Sequence, residues 1–307
     1  MIKDLKAGMS ADGIYLIKDS VKGVTAKGLN YLNITLQDSS GTIEAKKWDA
    51  DENDFEVLQK GSIVEISAEV IDYKDKPQVK IFSASFAKNS ENLIKSFLVD
   101  SPISVDILIE KFKKLFKSVE NPDCKAILNK IFEKYYSKFI EYPAAVKNHH
   151  EFYHGLLYHT VSMCEIADFL AEHYDDVNRD ILISGCLLHD IGKVIELSGP
   201  IATKYTDEGN LLGHLTIGMS LVREVANELN ITSDVPLQLE HMILSHHGKL
   251  EYGAAVLPQT KEALLLSMID DMDAKMMILA KAYQNIKPGE YTDRIFALDN
   301  RTFYKSK

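Results

Sequence analysis

The apolar periodicity of this chain changes once, near residue 90, and no other feature constrains its fold as much. Up to about residue 88 apolar residues recur at period two between turn residues. From Leu93 onward they recur at helical spacing almost to the end. A stretch patterned for one period cannot sit in the other structure without turning much of its apolar surface to water. Two domains are therefore expected in the 307 residues, and the chain can bury a sizeable core without disulfides or structural metal.

In the first part, strands are predicted over residues 14–17, 31–36, 43–48, 63–71 and 78–82. They are separated by Gly23, Gly28, the Asp38-Ser39-Ser40-Gly41 turn, Gly61 and a turn at residues 75–77. Five short strands in this length suggest a small barrel. A helical excursion over residues 49–59, between the third and fourth strands, makes a five-stranded OB-fold the closest match, with a generic sandwich or an SH3-like barrel as alternatives. The fold class expected is a multidomain α and β protein. It has an N-terminal small β-barrel over residues 1–88, connecting helices over 89–140 punctuated by Pro102 and Pro122, and an all-α bundle with a C-terminal extension over 141–307.

All ten histidines lie between His149 and His247. On the predicted helix from Leu156 to His173, His159 shares the inward face with Met163, Ile166 and Leu170. Residues 181–188 form a buried helix ending in His189-Asp190, with Gly192 as a plausible stop. His214 opens a further helix, His246-His247 closes another, and Asp270 stands on a stripe with Leu266 and Asp273. A lone inward histidine is usually a satisfied core residue, and an acid at an apolar position costs free energy unless it is paired or coordinated. Inward polar groups on five separate helices have one economical explanation, a shared metal site built from imidazole nitrogen and carboxylate oxygen. Lys193 follows Asp190 by three residues. It suits either neutralisation of charge on a transferred phosphoryl group or an exposed place at a helix end.

The net charge of −10 argues against simple basic coating of nucleic acid. The acid excess is concentrated in residues 141–307, which hold 24 Asp and Glu against 14 Lys and Arg. Cys124, Cys164 and Cys186 form no CxxC pair and fall in apolar helical patterns, as buried reduced thiols do. The longest apolar run, residues 181–188, is far short of a membrane span, and a cytoplasmic protein is expected.

The order His159, His189-Asp190, Asp270 resembles the HD-domain superfamily of metal-dependent phosphohydrolases, and His214 with His246-His247 resembles its dinuclear members. With the barrel, several stretches make the chain similar to the YhaM family: NHHEF (148–152), GLLYHTVSM (155–163), LLHDIGKVIELSGPI (187–201), EGNLLGH (208–214), ILSHHGKLEYGA (243–254), IDDMDAKM (269–276) and KPGEYTDRIFALDNRTFYK (287–305). The resemblance implies a 3′-5′ exoribonuclease that uses two divalent ions, manganese first and iron, cobalt or zinc as alternatives. Its expected substrate is single-stranded RNA, or single-stranded DNA, gathered by the barrel and hydrolysed to nucleoside 5′-monophosphates by a two-metal hydroxide mechanism.

Carried over residue by residue, His159, His189, Asp190 and Asp270 would hold one metal, and Asp190 would bridge to a second held by His214, His246 and His247. Asp190 and Lys193 would carry the chemistry. Trinuclear relatives have a Glu where this chain has Gly155, which limits the expected number of metals to two. His154 departs from the small residue usual in relatives, and His149 and His150 could reach the substrate or a metal or act as surface or capping residues. In the barrel, Tyr31, Trp48, Tyr73 and Phe82 are the candidates for base stacking, although aromatics in such a barrel are mostly core. Other readings are a phosphodiesterase or phosphatase acting on nucleotides or cyclic dinucleotides with the barrel as a regulatory module, and a nucleic-acid-binding protein on a metal-stabilised scaffold. A homo-oligomer, in which a neighbouring subunit guides the substrate, is compatible with the acidic helical half.

Overall fold

The structure is a computed structural model that describes residues 1–74, 76–88, 94–145, 152–201, 203–284 and 286–307. The chain forms two compact units, residues 1–100 and residues 101–307.

The first unit is a closed five-stranded barrel with strand order β1-β2-β3-β5-β4. Its elements are β1 (Gly13–Val24), β2 (Asn30–Asp38), β3 (Gly41–Trp48), α1 (Glu52–Val57), β4 (Ile63–Asp72) and β5 (Pro77–Phe86). Every pairing is antiparallel except β3 with β5. This is the OB arrangement, with α1 as the predicted excursion. Asp51 caps α1 by accepting from the Asp54 backbone N–H at 2.8 Å, while the Asp54 carboxylate accepts from the Asp51 N–H at 3.2 Å. Ile17, Leu32, Ile34, Leu36, Leu58, Val64 and Val79 fill the interior.

β1 is three times longer than the expected segment of residues 14–17. An irregularity between Ile17 and Asp19 divides it, so that residues 13–16 pair with β4 while the strand pairs with β2 as far as Val24. The second half is largely exposed or half-buried on both faces, so its sequence carries no alternation to read.

The second unit is a helical bundle: α2 (Val105–Ser118), α3 (Pro122–Glu141), α4 (Gly155–His173), α5 (Arg179–Leu188), α6 (Lys193–Glu196), α7 (Asp207–Glu228), α8 (Val235–Ser245) and α9 (Lys261–Tyr283). Asn121, Asn178, Thr206 and Thr260 start α3, α5, α7 and α9 by accepting backbone N–H groups, and Pro122 occupies the first turn of α3, where it forfeits no helical hydrogen bond. From Ile181 to Leu188 every residue of α5 is buried, which marks it as the central helix. Phe112, Ile127, Ile131, Phe132 and Phe139 of α2 and α3 belong to the same core as Leu156, Met163, Leu182, Leu239 and Leu266 of the later helices.

After α9 the chain folds back on itself. Ile295 N–H donates to the Arg301 carbonyl and Thr292 N–H to the Phe303 carbonyl, each at 2.9 Å, while Lys305 Nζ donates to the carbonyls of Tyr283 and Ile286. The three cysteines are buried and free. No described helix is long and apolar enough to cross a membrane.

Phe139 is fully buried, with ring centroids 5.5 Å from Phe112 and 5.0 Å from Phe132. Phe139→Ala is expected to destabilise the helical unit by about 3–5 kcal/mol through lost burial and the cavity left behind. The displacement of its urea unfolding midpoint measures this.

Candidate functional site

The end of α5 delivers His189 and Asp190 into the bundle, both buried. His189 Nδ1 donates to the Cys186 carbonyl at 2.8 Å. A carbonyl can only accept, so Nδ1 carries a proton, and Nε2 is the nitrogen that faces inward. The same device operates at the end of α8, where His246 Nδ1 donates to the Ile243 carbonyl at 2.8 Å.

Asp190 stands between two groups of side chains, and its two oxygens divide them. Oδ2 lies 3.2 Å from His189 Nε2, 4.0 Å from His159 Nε2 and 2.7 Å from Lys193 Nζ. Oδ1 lies 3.5 Å from His214 Nε2 and 3.7 Å from His246 Nε2. Potential ligand atoms of His159, His189 and Asp190 fall within 4.8 Å of one another, as do those of His214, His246 and His247. Asp270 joins the first group through Oδ1, 3.1 Å from His159 Nε2. All seven residues expected to bind metal therefore converge.

The electrostatics are those of a cation site. Burial works against ionisation of Asp190, but the charge of Lys193 and the neighbouring imidazoles outweigh it and hold the carboxyl well below the usual range. Asp270 is likewise held low, its burial overcome by the hydrogen bond from His159 and by the nearby imidazoles. His159 experiences the reverse: burial alone would depress its pKa, but the carboxylates of Asp270 and Asp273 raise it to about 10. Burial pushes the pKa values of His246 and His247 down, which favours the neutral imidazole that a metal needs. His189 Nε2, Asp190 Oδ1, His214 Nε2 and His247 Nδ1 are buried without hydrogen-bond partners. Four such atoms in one place are unusual for a protein interior, and a nitrogen and oxygen donor set of this kind fits divalent metal.

Three further residues serve the site. Asp273 Oδ2 pairs with His159 Nδ1 at 2.7 Å, and Ser162 Oγ donates to Asp273 Oδ1 at 2.5 Å. Glu196 accepts from His214. The stripe shared by Asp270 and Asp273 signals the former pair, whereas nothing periodic marks Glu196. Lys193 is no exposed helix-end lysine: its side chain is 13% accessible and bound to Asp190. Gly192, expected as a helix stop, follows the end of α5 without a left-handed turn. Its φ is −60°, and it is there because a Cβ would lie 2.1 Å from the His214 carbonyl oxygen.

Of the other histidines, His154 takes a left-handed conformation and donates from Nδ1 to the Ile140 carbonyl, and His241 Nε2 accepts the Gln259 N–H. His149 and His150 lie outside the described residues.

The four barrel aromatics are not core. Trp48 is 41% exposed, Tyr73 and Phe82 are each 49% exposed, and Tyr31 is half-buried. Tyr31 and Trp48 face each other across β2 and β3 with ring centroids 5.3 Å apart, and Lys46 Nζ lies 5.0 Å and 4.6 Å from their centroids. Lys74 and Lys80 stand similarly over Tyr73 and Phe82, each at 5.3 Å. Each candidate ring is thus paired with an ammonium group.

The barrel and the bundle together define an OB-fold nucleic-acid-binding domain joined to an HD domain. The family model for the OB-fold nucleic acid binding domain matches residues 16–85, and that for the HD domain matches residues 156–275. Over 301 residues the chain is 44% identical to the 3′-5′ exoribonuclease YhaM of Bacillus velezensis and equally to that of Bacillus subtilis, covering 98% of this chain and 96% of each relative. The chain belongs to the YhaM 3′-5′ exoribonuclease family. Among solved structures, the second OB-fold domain of replication protein A from Methanococcus maripaludis aligns at 18% identity and a TM-score of 0.24, covering 29% of this chain and 95% of that one. The HD domain of the Listeria monocytogenes phosphodiesterase PgpH aligns at 18% identity and a TM-score of 0.30, covering 55% and 77%.

Since a Cβ on Gly192 would meet the backbone of His214 at 2.1 Å, and not a movable side chain, Gly192→Ala must displace α7. The expected loss is about 1–3 kcal/mol, the usual scale of overpacking, read from a denaturant midpoint.

Proposed function

We propose that the protein is a divalent-metal-dependent 3′-5′ exoribonuclease that degrades single-stranded RNA, and single-stranded DNA on the same platform, to nucleoside 5′-monophosphates in the cytoplasm. The observation that carries the reading is Asp190, a buried carboxylate whose two oxygens face separate groups of imidazoles. His159, His189, Asp190 and Asp270 would hold one ion, and Asp190, His214, His246 and His247 a second. Bound divalent ions supply Lewis acidity toward the scissile phosphate and an acidified water as nucleophile. Donors that are all imidazole or carboxylate, without thiolate, suit manganese and leave iron, cobalt and zinc as alternatives.

The chain's own residues supply the rest. Lys193 holds a partly buried positive charge beside Asp190 and would offset negative charge gathering on the phosphoryl oxygens. The hydrogen bonds behind His189 and His246 fix which nitrogen each presents, so no reorganisation is needed when the site fills. On the barrel, Tyr31, Trp48, Tyr73 and Phe82 offer stacking surfaces that tolerate any base, and Lys46, Lys74 and Lys80 follow the phosphates. This division of labour reconciles an acidic chain with a polyanionic substrate, because stacking provides affinity that net charge does not.

The test is incubation of 5′-labelled single-stranded RNA with protein and manganese, with and without chelator, resolved at single-nucleotide length. A chelator-sensitive ladder shortening from the 3′ end is expected. Intact RNA alongside turnover of nucleotides or cyclic dinucleotides would replace the substrate. Asp190→Ala should abolish hydrolysis while RNA binding persists, and retained activity would refute the site. Trp48→Ala should weaken RNA binding by roughly 5- to 150-fold, corresponding to about 1–3 kcal/mol for one lost base stack, while turnover of a small phosphodiester is unchanged.

A further inference from the structure

Glu196 lies outside the ordered set of ligands, yet it is buried and makes both of its described side-chain hydrogen bonds to a single residue. Its Oε1 accepts the His214 backbone N–H at 3.0 Å and His214 Nδ1 at 2.9 Å. A carboxylate accepting at Nδ1 places the imidazole proton there and directs the Nε2 lone pair inward, where it is buried without a hydrogen-bond partner, 3.5 Å from Asp190 Oδ1.

His214 needs this support because of where it stands in α7. Gly213 breaks the helical conformation with φ 69° and ψ 156°, and His214 is the first residue of the resumed helix. His189 and His246 follow intact helices and use carbonyls three residues behind them, Cys186 and Ile243. At His214 the kink interrupts that geometry, and the acceptor comes from α6 instead.

The backbones of α6 and α7 are fitted together to bring it there. A Cβ on Gly209 would fall 2.3 Å from the Glu196 carbonyl oxygen, and one on Gly192 would fall 2.1 Å from the His214 carbonyl oxygen. Thr206 N–H donates to the Glu196 carbonyl at 2.9 Å, and its hydroxyl donates to the Ile195 carbonyl at 2.9 Å. Two close approaches and two hydrogen bonds thus set the distance from Glu196 to His214.

We propose that Glu196 is the positioning residue that makes His214 a ligand, so that the ion shared by His214, His246 and His247 depends on it while the ion at His159 and His189 does not. This rests on the two-ion reading given above. Because both hydrogen bonds fall on one oxygen, glutamine can preserve the geometry while removing the charge. Substitution of a group that orients a ligand histidine typically costs 10- to 100-fold in metal affinity.

The experiment uses full-length protein stripped with chelator and reloaded with manganese. Metal per chain is measured by elemental analysis after desalting, the two affinities by calorimetric titration, and folding by circular dichroism. Two equivalents are expected for the unsubstituted protein and one for Glu196→Ala. Glu196→Gln should recover the second equivalent at an affinity between those of the other two. If Glu196→Ala does not fold, Glu196→Asp, which withdraws the oxygen by one methylene, takes its place with the same expected loss. Two equivalents at unchanged affinity in a folded Ala or Asp variant would overturn the proposal, as would loss of both ions together. Fewer than two equivalents in the unsubstituted protein would overturn the two-ion reading itself, a separate result obtained before any substitution.

Discussion

A carboxylate taken out of water is tolerated only where opposite charge and hydrogen-bond donors replace the solvent, and the helical unit is organised around meeting that condition at Asp190. The residue is 2% exposed, with Lys193 at 2.7 Å and four imidazoles within 4.0 Å. Its position at the end of α5, buried from Ile181 to Leu188, places it where α4, α7, α8 and α9 can each contribute a group. A hydrophobic residue at 190 would satisfy packing at lower cost. The two oxygens of Asp190 nevertheless face separate groups of imidazoles, an arrangement that no apolar side chain could supply.

The convergence on Asp190 is legible because several of its members occupy positions where the sequence pattern calls for an apolar residue. His159 and Asp270 interrupt apolar stripes, and His189 and His246 terminate apolar helices, so a polar group there demands a reason. Glu196 gave no such signal: α6 is only four residues long, too short for a period, and its relation to His214 is created by the non-helical Gly213. Gly192 shows in the sequence only as a glycine, because close approach of two backbones leaves the same letter as a helix stop. The barrel followed similar rules. Strands with one buried face announced themselves, while the second half of β1, exposed to varying degrees on both faces, did not.

The barrel aromatics illustrate the limit of composition. An aromatic in a small barrel is usually core, and periodicity cannot separate an inward ring from an outward one when the register is unknown. The register brings Tyr31 opposite Trp48, on the face that alternates with buried Leu32, Ile34 and Ala45. Once the pairing is fixed, the two large rings beneath a lysine stand on the outer face and not in the core.

The separation along the chain of the residues that converge on Asp190 has a thermodynamic consequence. His159 and Asp270 are 111 residues apart yet 3.1 Å apart in space. An unfolded chain cannot assemble such a set, so divalent ions should bind the native state almost exclusively, and their binding free energy is added to that of folding. Metal supply would therefore regulate the lifetime of the folded molecule as well as its chemistry. Under metal limitation the population open to proteolysis would rise even with no change in the amount synthesised.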